Sequence, residues 1–173
     1  MISIIKATVQ DYHSIASIGK VSVVDSHRDS CSVEDMNEFL ERNYNGDAIK
    51  DELQDVHNLY YLIHYNYTPV GFSKIVLNAS HPNIGAENVT KLDRIYILKE
   101  FYGLKLGLEL LNFNITLAKD NDQSGIWLYT WIGNTRAVNF YRKAGFTIIG
   151  NHKYYVTETH YDESHQMFLD FAG

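Results

Sequence analysis

Two stretches of the chain carry residue types at spacings that could do chemistry. The first, Lys91 to Gly107 (KLDRIYILKEFYGLKLG), reads as a buried strand, Leu92 to Leu98, running through a glycine-bearing turn into a helix. The first backbone N–H groups of a helix have no partner within it, and the helix dipole adds positive character there. A strand–turn–helix of this kind is a ready anion site, suited to the pyrophosphate of a coenzyme. Gly103 and Gly107 bracket the turn, with Lys105 between them. A lone glycine-rich turn needs support from elsewhere in the chain. The second stretch, Trp131 to Phe146 (WIGNTRAVNFYRKAGF), is the denser one. Asn134 is a preferred helix N-cap, Ala137 follows, then Phe140 and Tyr141, and Gly145 suits the position just past a helix end.

The elements that must position these residues can be read from periodicity. Ile2 to Val9 is a first strand, with Asp11 as the cap of a helix from Tyr12 to about Val24. Asp25 to Ser32 is polar and turn-like. Ser32 or Ser30 caps a second helix that carries Val33, Met36, Phe39 and Leu40 on one face, and Ala48 to Val56 forms a further short turn of helix. Leu59 to Tyr65 and Val70 to Leu77 form a hairpin about Asn66 to Pro69. After the Gly103 turn, Leu104, Leu108, Leu111, Ile115 and Ala118 make an amphipathic stripe. Ile126 to Trp131 is the fifth strand, and Phe146 to Val156 and Gln166 to Phe171 close the order. Strands and helices mixed in this way predict an α/β domain spanning residues 1–173, with a central sheet and helices on both faces.

Composition narrows the function classes. Fifteen Lys and Arg against 21 Asp and Glu give a net charge of −6, which argues against generic nucleic-acid binding. The single cysteine, Cys31, excludes an internal disulfide, and no Cys or His spacing suggests a metal site. The absence of a long apolar run argues against a membrane span, so the chain reads as a cytoplasmic, metal-free protein. The second and third helical segments are acidic, from Glu34 through Asp55. They form either a solvated face or an acidic lip that attracts an amine.

The spacing N-x-x-A-x-x-F-Y-x-x-x-G-F from Asn134 to Phe146 resembles the signature of the GNAT superfamily of acyl-CoA-dependent N-acyltransferases. Length and element order are similar over nearly the whole chain. IWLYTW and RIYILKEFYG look most like the bacterial polyamine acetyltransferase branch. The resemblance implies a mixed, mostly antiparallel sheet of about seven strands with strands four and five splayed. It implies acetyl-CoA as co-substrate and direct transfer to a small-molecule primary amine (a polyamine, amino-acid or peptide amine). It also implies a homodimer through the C-terminal strands. Tyr102, Gly103, Leu104, Lys105, Leu106 and Gly107 stand at the family's phosphate loop, where Tyr102 replaces the usual Gln or Arg and Lys105 the usual middle Gly. The Lys105 side chain either crowds the phosphates or reaches one of them.

By the same resemblance Ile95, Tyr96, Ile97 and Leu98 pair with pantetheine, and an N–H of Ile97 or Leu98 stabilises the oxyanion. Tyr141 matches the proton donor to the leaving thiolate, since a phenol of pKa about 10 stays protonated at neutral pH; otherwise it is a core aromatic. Asn134 caps its helix and is a second candidate contact for the pantetheine arm. Asp93 shares the strand alternation of Ile95 and Ile97, and is either the base for the substrate ammonium or a structural carboxylate. The rival reading is a CoA-binding module of the same fold that has lost turnover.

Overall fold

The computed structural model describes all residues, 1–173. Its centre is a seven-stranded sheet in the order β1-β2-β3-β4-β5-β7-β6. The strands are β1 (Ile2–Lys6), β2 (Leu59–Tyr65), β3 (Thr68–Val76), β4 (Val89–Ile97), β5 (Gly125–Trp131), β6 (Thr147–Tyr155) and β7 (Tyr161–Asp170). Every pairing is antiparallel except β4 with β5. That parallel pair is joined only from Val89–Gly125 to Lys91–Trp127; beyond this the strands part, as the resemblance implied. The joined end is tied by side chains. Gln123 Oε1 accepts from the Asn78 N–H and from the Thr90 hydroxyl, and Ser124 bonds to Asn88.

One face of the sheet carries α1 (Tyr12–Ser26), α2 (Val33–Asn43) and α3 (Gly46–Gln54). Ile15, Ile18, Tyr44 and Ile49 pack there against Tyr60, Leu62 and Phe72. The helices start where short polar side chains can catch a free N–H. Ser32 Oγ accepts from Asp35, and Asn45 Oδ1 accepts from Ala48. Asp11 does not cap α1. Its carboxylate reaches back to the N–H of Thr8, closing a capping box one turn earlier, so β1 ends at Lys6 and a single 3-10 turn intervenes. Val33, expected on the apolar face of α2, is exposed; Met36, Phe39 and Leu40 do pack inward.

The other face carries α4 (Leu106–Asp120) and α5 (Thr135–Lys143). The buried stripe on α4 is offset from the expected one. The helix begins at Leu106, so Leu106, Leu110, Leu111 and Ala118 are buried, whereas Leu104 and Leu108 are exposed. Asn114 is the one polar residue on the buried face. It accepts from Ser73 of β3 and donates to the Leu110 carbonyl, fixing the helix on the sheet. Strand β7 starts five residues before the sequence reading placed it, because Asp162, Ser164 and Gln166 are polar yet buried. Leu110→Ala should destabilise the fold by about 2–5 kcal/mol and Leu104→Ala by less than about 0.5 kcal/mol in urea unfolding. Equal effects would contradict this assignment of the helix face.

Candidate active site

A cavity of about 690 Å³ runs through the gap between β4 and β5. Each strand bonds to its outer neighbour and leaves alternate backbone groups facing the gap. Leu98 donates its N–H to the Val70 carbonyl on β3. By alternation the N–H and C=O groups of Ile97 and Ile95 face the opening, and those of Tyr96 and Leu98 do not. Of the expected backbone set, therefore, Ile95 and Ile97 are available to a ligand. Tyr96 contributes its side chain, and Leu98 is outside the cavity, its N–H already used.

At one end the cavity reaches the turn before α4. Gly103 (φ 88°) and Lys105 (φ 61°) both take left-handed backbone. Lys105 stands at the N-cap with no side-chain cap, so the first N–H groups of α4 are free. Tyr102, Gly103, Lys105, Leu106 and Gly107 line this end; Leu104 points outward and does not. Position 102 carries no charge, and a cation reaches this end from elsewhere in the chain. The Arg136 guanidinium, at the start of α5, lies 3.6 Å from the centre of the Tyr102 ring. Lys143 also lines the cavity, and none of Lys105, Arg136 and Lys143 has a carboxylate partner. Sequence reading missed Arg136. Its only signal was the uncharged Tyr102.

Tyr141 sits where α5 meets the gap. The side chain packs with Phe140 and Phe146 and also lines the cavity. Burial pushes its phenol up, and the neighbouring Tyr96 adds to this, so it holds its proton throughout the neutral range. The Asn134 side chain accepts from the Ala137 N–H, 3.1 Å, and borders the same cavity. A Schellman turn through Gly145 (φ 100°) ends α5, with Phe146 N–H bonded to the Tyr141 carbonyl. It anchors the stretch of helix that carries the phenol.

Asp93 is not on the Ile95–Ile97 face. Lys74 pairs with Arg94 and Ile75 with Leu92, so Asp93 is the extra residue of a β-bulge. The bulge inverts the alternation and turns Asp93 and Arg94 together to the α1–α3 side. There Asp93 meets Lys74 at 2.9 Å and Lys91 at 3.1 Å. Burial opposes its ionisation, but the two lysines outweigh this and hold the carboxyl at about 2. It is a weak base. A second group on that side was missed: His27, at the end of α1, lines the cavity and stacks on Trp131 with ring centres 5.8 Å apart. Burial lowers its pKa, more than the charge of Asp162 raises it, leaving a neutral imidazole at pH 7. Tyr154 borders the cavity, while Tyr155 and Tyr161 pack on each other outside it. Cys31 does not line the cavity and its thiol is raised by burial, so no thiolate nucleophile is present. No helix is long and apolar enough to cross a membrane.

Comparison with known proteins gives a consistent picture. The model of the acetyltransferase (GNAT) family matches residues 21–146. An uncharacterized N-acetyltransferase of Lactobacillus delbrueckii subsp. lactis is 26% identical over 151 residues, 87% of each chain. Among solved structures, the PaiA N-acetyltransferase of Thermoplasma acidophilum in complex with coenzyme A superposes with a TM-score of 0.79 at 19% identity, covering 99% of both chains. A GCN5-related N-acetyltransferase of Rhodopseudomonas palustris gives 0.77 at 15% identity, over 98% of this chain and 95% of that one.

The depressed Asp93 pKa has a stability consequence with a definite sign. A carboxyl whose folded pKa lies below its unfolded value contributes stability that is present above the unfolded pKa and lost as pH falls through the folded one. For Asp93 that window runs from 3.8 down to about 2. In urea titrations across it, the wild-type chain should lose stability more steeply than Asp93→Asn; parallel curves would show that the ion pairs are not formed.

Proposed function

The chain belongs to the acetyltransferase (GNAT) family, and from that membership we propose that it transfers an acetyl group from acetyl-CoA to a primary amine by direct attack. The observation that carries this reading is the single cavity that joins three things: the open β4 edge, the uncapped α4 N-terminus with its free cations, and Tyr141. When bound, acetyl-CoA supplies an activated acyl group as a thioester.

The residues fit that ligand. The free N–H groups of α4, with Lys105, Arg136 and Lys143, would hold the pyrophosphate end. The Ile95 and Ile97 backbone would bond the pantetheine arm as a neighbouring strand would, with Asn134 closing its other side. The Ile97 N–H is the donor for the carbonyl oxygen as charge develops on it. Tyr141 keeps a proton for the departing sulfur. We assign Asp93 to an ion-pair network rather than to proton removal, because a carboxyl held at about 2 is poorly matched to an ammonium near 10. The neutral His27 imidazole, which lines the same cavity, is the alternative proton acceptor. Polyamines, amino acids and peptide amines are the acceptor classes to be ranked. A dimer through the C-terminal strands is part of the same proposal, resting on resemblance.

Thiol release from acetyl-CoA in the presence of an amine panel tests the reading. CoA binding with no thiol release for any amine would instead mark a binding module. Tyr141→Phe should lower kcat by roughly 10²-fold or more and leave CoA affinity nearly unchanged in calorimetry; an unchanged rate would remove Tyr141 as the acid. Lys105→Gly should relieve a left-handed backbone by about 1 kcal/mol in unfolding, yet weaken CoA binding several-fold. Tighter binding would show that the side chain is an obstacle to the phosphates.

A further inference from the structure

On the α1–α3 side of the gap, five charged side chains form an unbroken ladder of alternating sign. Lys91 meets Asp93 at 3.1 Å, Asp93 meets Lys74 at 2.9 Å, Lys74 meets Glu52 at 3.1 Å, and Glu52 meets Arg94 at 3.3 Å. Three cations share two carboxylates, so the ladder carries one surplus positive charge, and its two ends are both cationic. The ends, Lys91 and Arg94, are the members that line the cavity together with Asp93. Arg94 is supported further, by the Tyr60 hydroxyl at 2.9 Å and by the face of Tyr44 at 4.8 Å. Lys91 is not. It shares Asp93 with Lys74, and otherwise lies only over the rings of Trp127 and Tyr129, at 5.3 and 5.6 Å.

No other group nearby supplies a free negative charge. Asp162, the remaining carboxylate in the cavity wall, is bound to His160 at 3.0 Å. His81 and His152 sit against Tyr129, and His152 is kept neutral by burial, by Lys91 and by His81. The acidic residues of α2 and α3 do not line the cavity at all. Glu52 alone turns inward, into the ladder, and Glu38 pairs with Arg42 on the surface. An acceptor with several ammonium groups would thus bring a second cation to a wall whose carboxylates are all taken and whose nearest free end is itself cationic.

Resting on the acetyltransferase reading, we propose that the acceptor is an amine carrying its own carboxylate, of the amino-acid type, and that this carboxylate seats on Lys91 at the under-compensated end of the ladder. The ligand anion then completes the alternation, as a sixth member opposite Lys91. Lys91 is a specificity residue in this arrangement and takes no part in proton transfer. Of the two rings beside it Trp127 is buried and only Tyr129 lines the cavity, where it favours an acceptor with an apolar or aromatic body.

The test uses the whole protein, acetyl-CoA and matched pairs of acceptors that differ only in the carboxylate: phenylalanine with phenethylamine, and leucine with isoamylamine, with spermidine and spermine alongside. Each amino acid should exceed its decarboxylated partner in kcat/KM by about tenfold or more, as expected for a charge-assisted contact, and the polyamines should be slowest. Lys91→Met should erase the difference within each pair, lowering kcat/KM for the amino acid by more than for its decarboxylated partner. Lys91→Arg should retain it, which separates loss of the charge from loss of the fold. The proposal is overturned by a simple amine or polyamine as the best acceptor, by equal losses for both members in Lys91→Met, or by bound CoA with no carboxylate-bearing acceptor turned over. Failure to bind acetyl-CoA at all, read by calorimetry, would instead remove the acetyltransferase reading.

Discussion

The parting of β4 and β5 is the constraint on which the rest depends. A sheet interior normally satisfies every backbone donor and acceptor. Here two parallel strands are joined for three residue pairs and then diverge, leaving the Ile95 and Ile97 groups without a protein partner. Such a gap persists only if something else holds the strands. At the joined end this is the cluster of Gln123, Asn78 and Thr90, with Asn88 and Ser124 beside it. On the outer sides it is full pairing, β3 with β4 and β7 with β5. The gap is therefore built into the fold, and the helices on either face become the walls of a passage through the sheet.

The bulge at Asp93 gives this passage two chemically different sides. Without it, regular alternation would place a carboxylate beside Ile95 and Ile97, against α4. With it, Asp93 and Arg94 both join Lys74 and Glu52 on the opposite side. Buried ion pairs of this kind add little net stability, since desolvation offsets most of the attraction. What they do fix is position and charge. Three ion pairs hold Lys74 and Glu52 from both sides, and the arrangement decides which cation is left with an unmet demand.

The end of the cavity proposed for the phosphates reaches an expected electrostatic outcome by unexpected residues. The usual Gln or Arg is absent at Tyr102, yet the Arg136 guanidinium lies 3.6 Å from the centre of that ring and brings a cation to the same mouth. Lys105 takes the left-handed backbone that glycine would take more easily, and it puts an ammonium-bearing side chain at the N-cap that lines the same mouth. Both departures keep positive charge at the mouth of a chain whose net charge is −6.

By itself the sequence determined what local chemistry determines. The run from Asn134 to Gly145 specified a capped helix with Tyr141 on it, and the β-branched and aromatic runs specified most strands, because capping and periodicity are properties of neighbours in the chain. The motif also carried the family and the splayed sheet. The apolar stripe of α4 was misjudged by the offset of its first leucines, because exposed Leu104 and Leu108 mimic a buried face until a partner surface exists to choose between them. The early part of β7 was missed because its inward residues Asp162 and Ser164 are polar and line the cavity rather than a core. Only the tertiary structure decided which side Asp93 faces, that Leu98 has given its N–H to Val70, and that Arg136 and His27 line the cavity. Each depends on a one-residue bulge or on a contact between distant segments, and neither leaves a periodic trace in the chain.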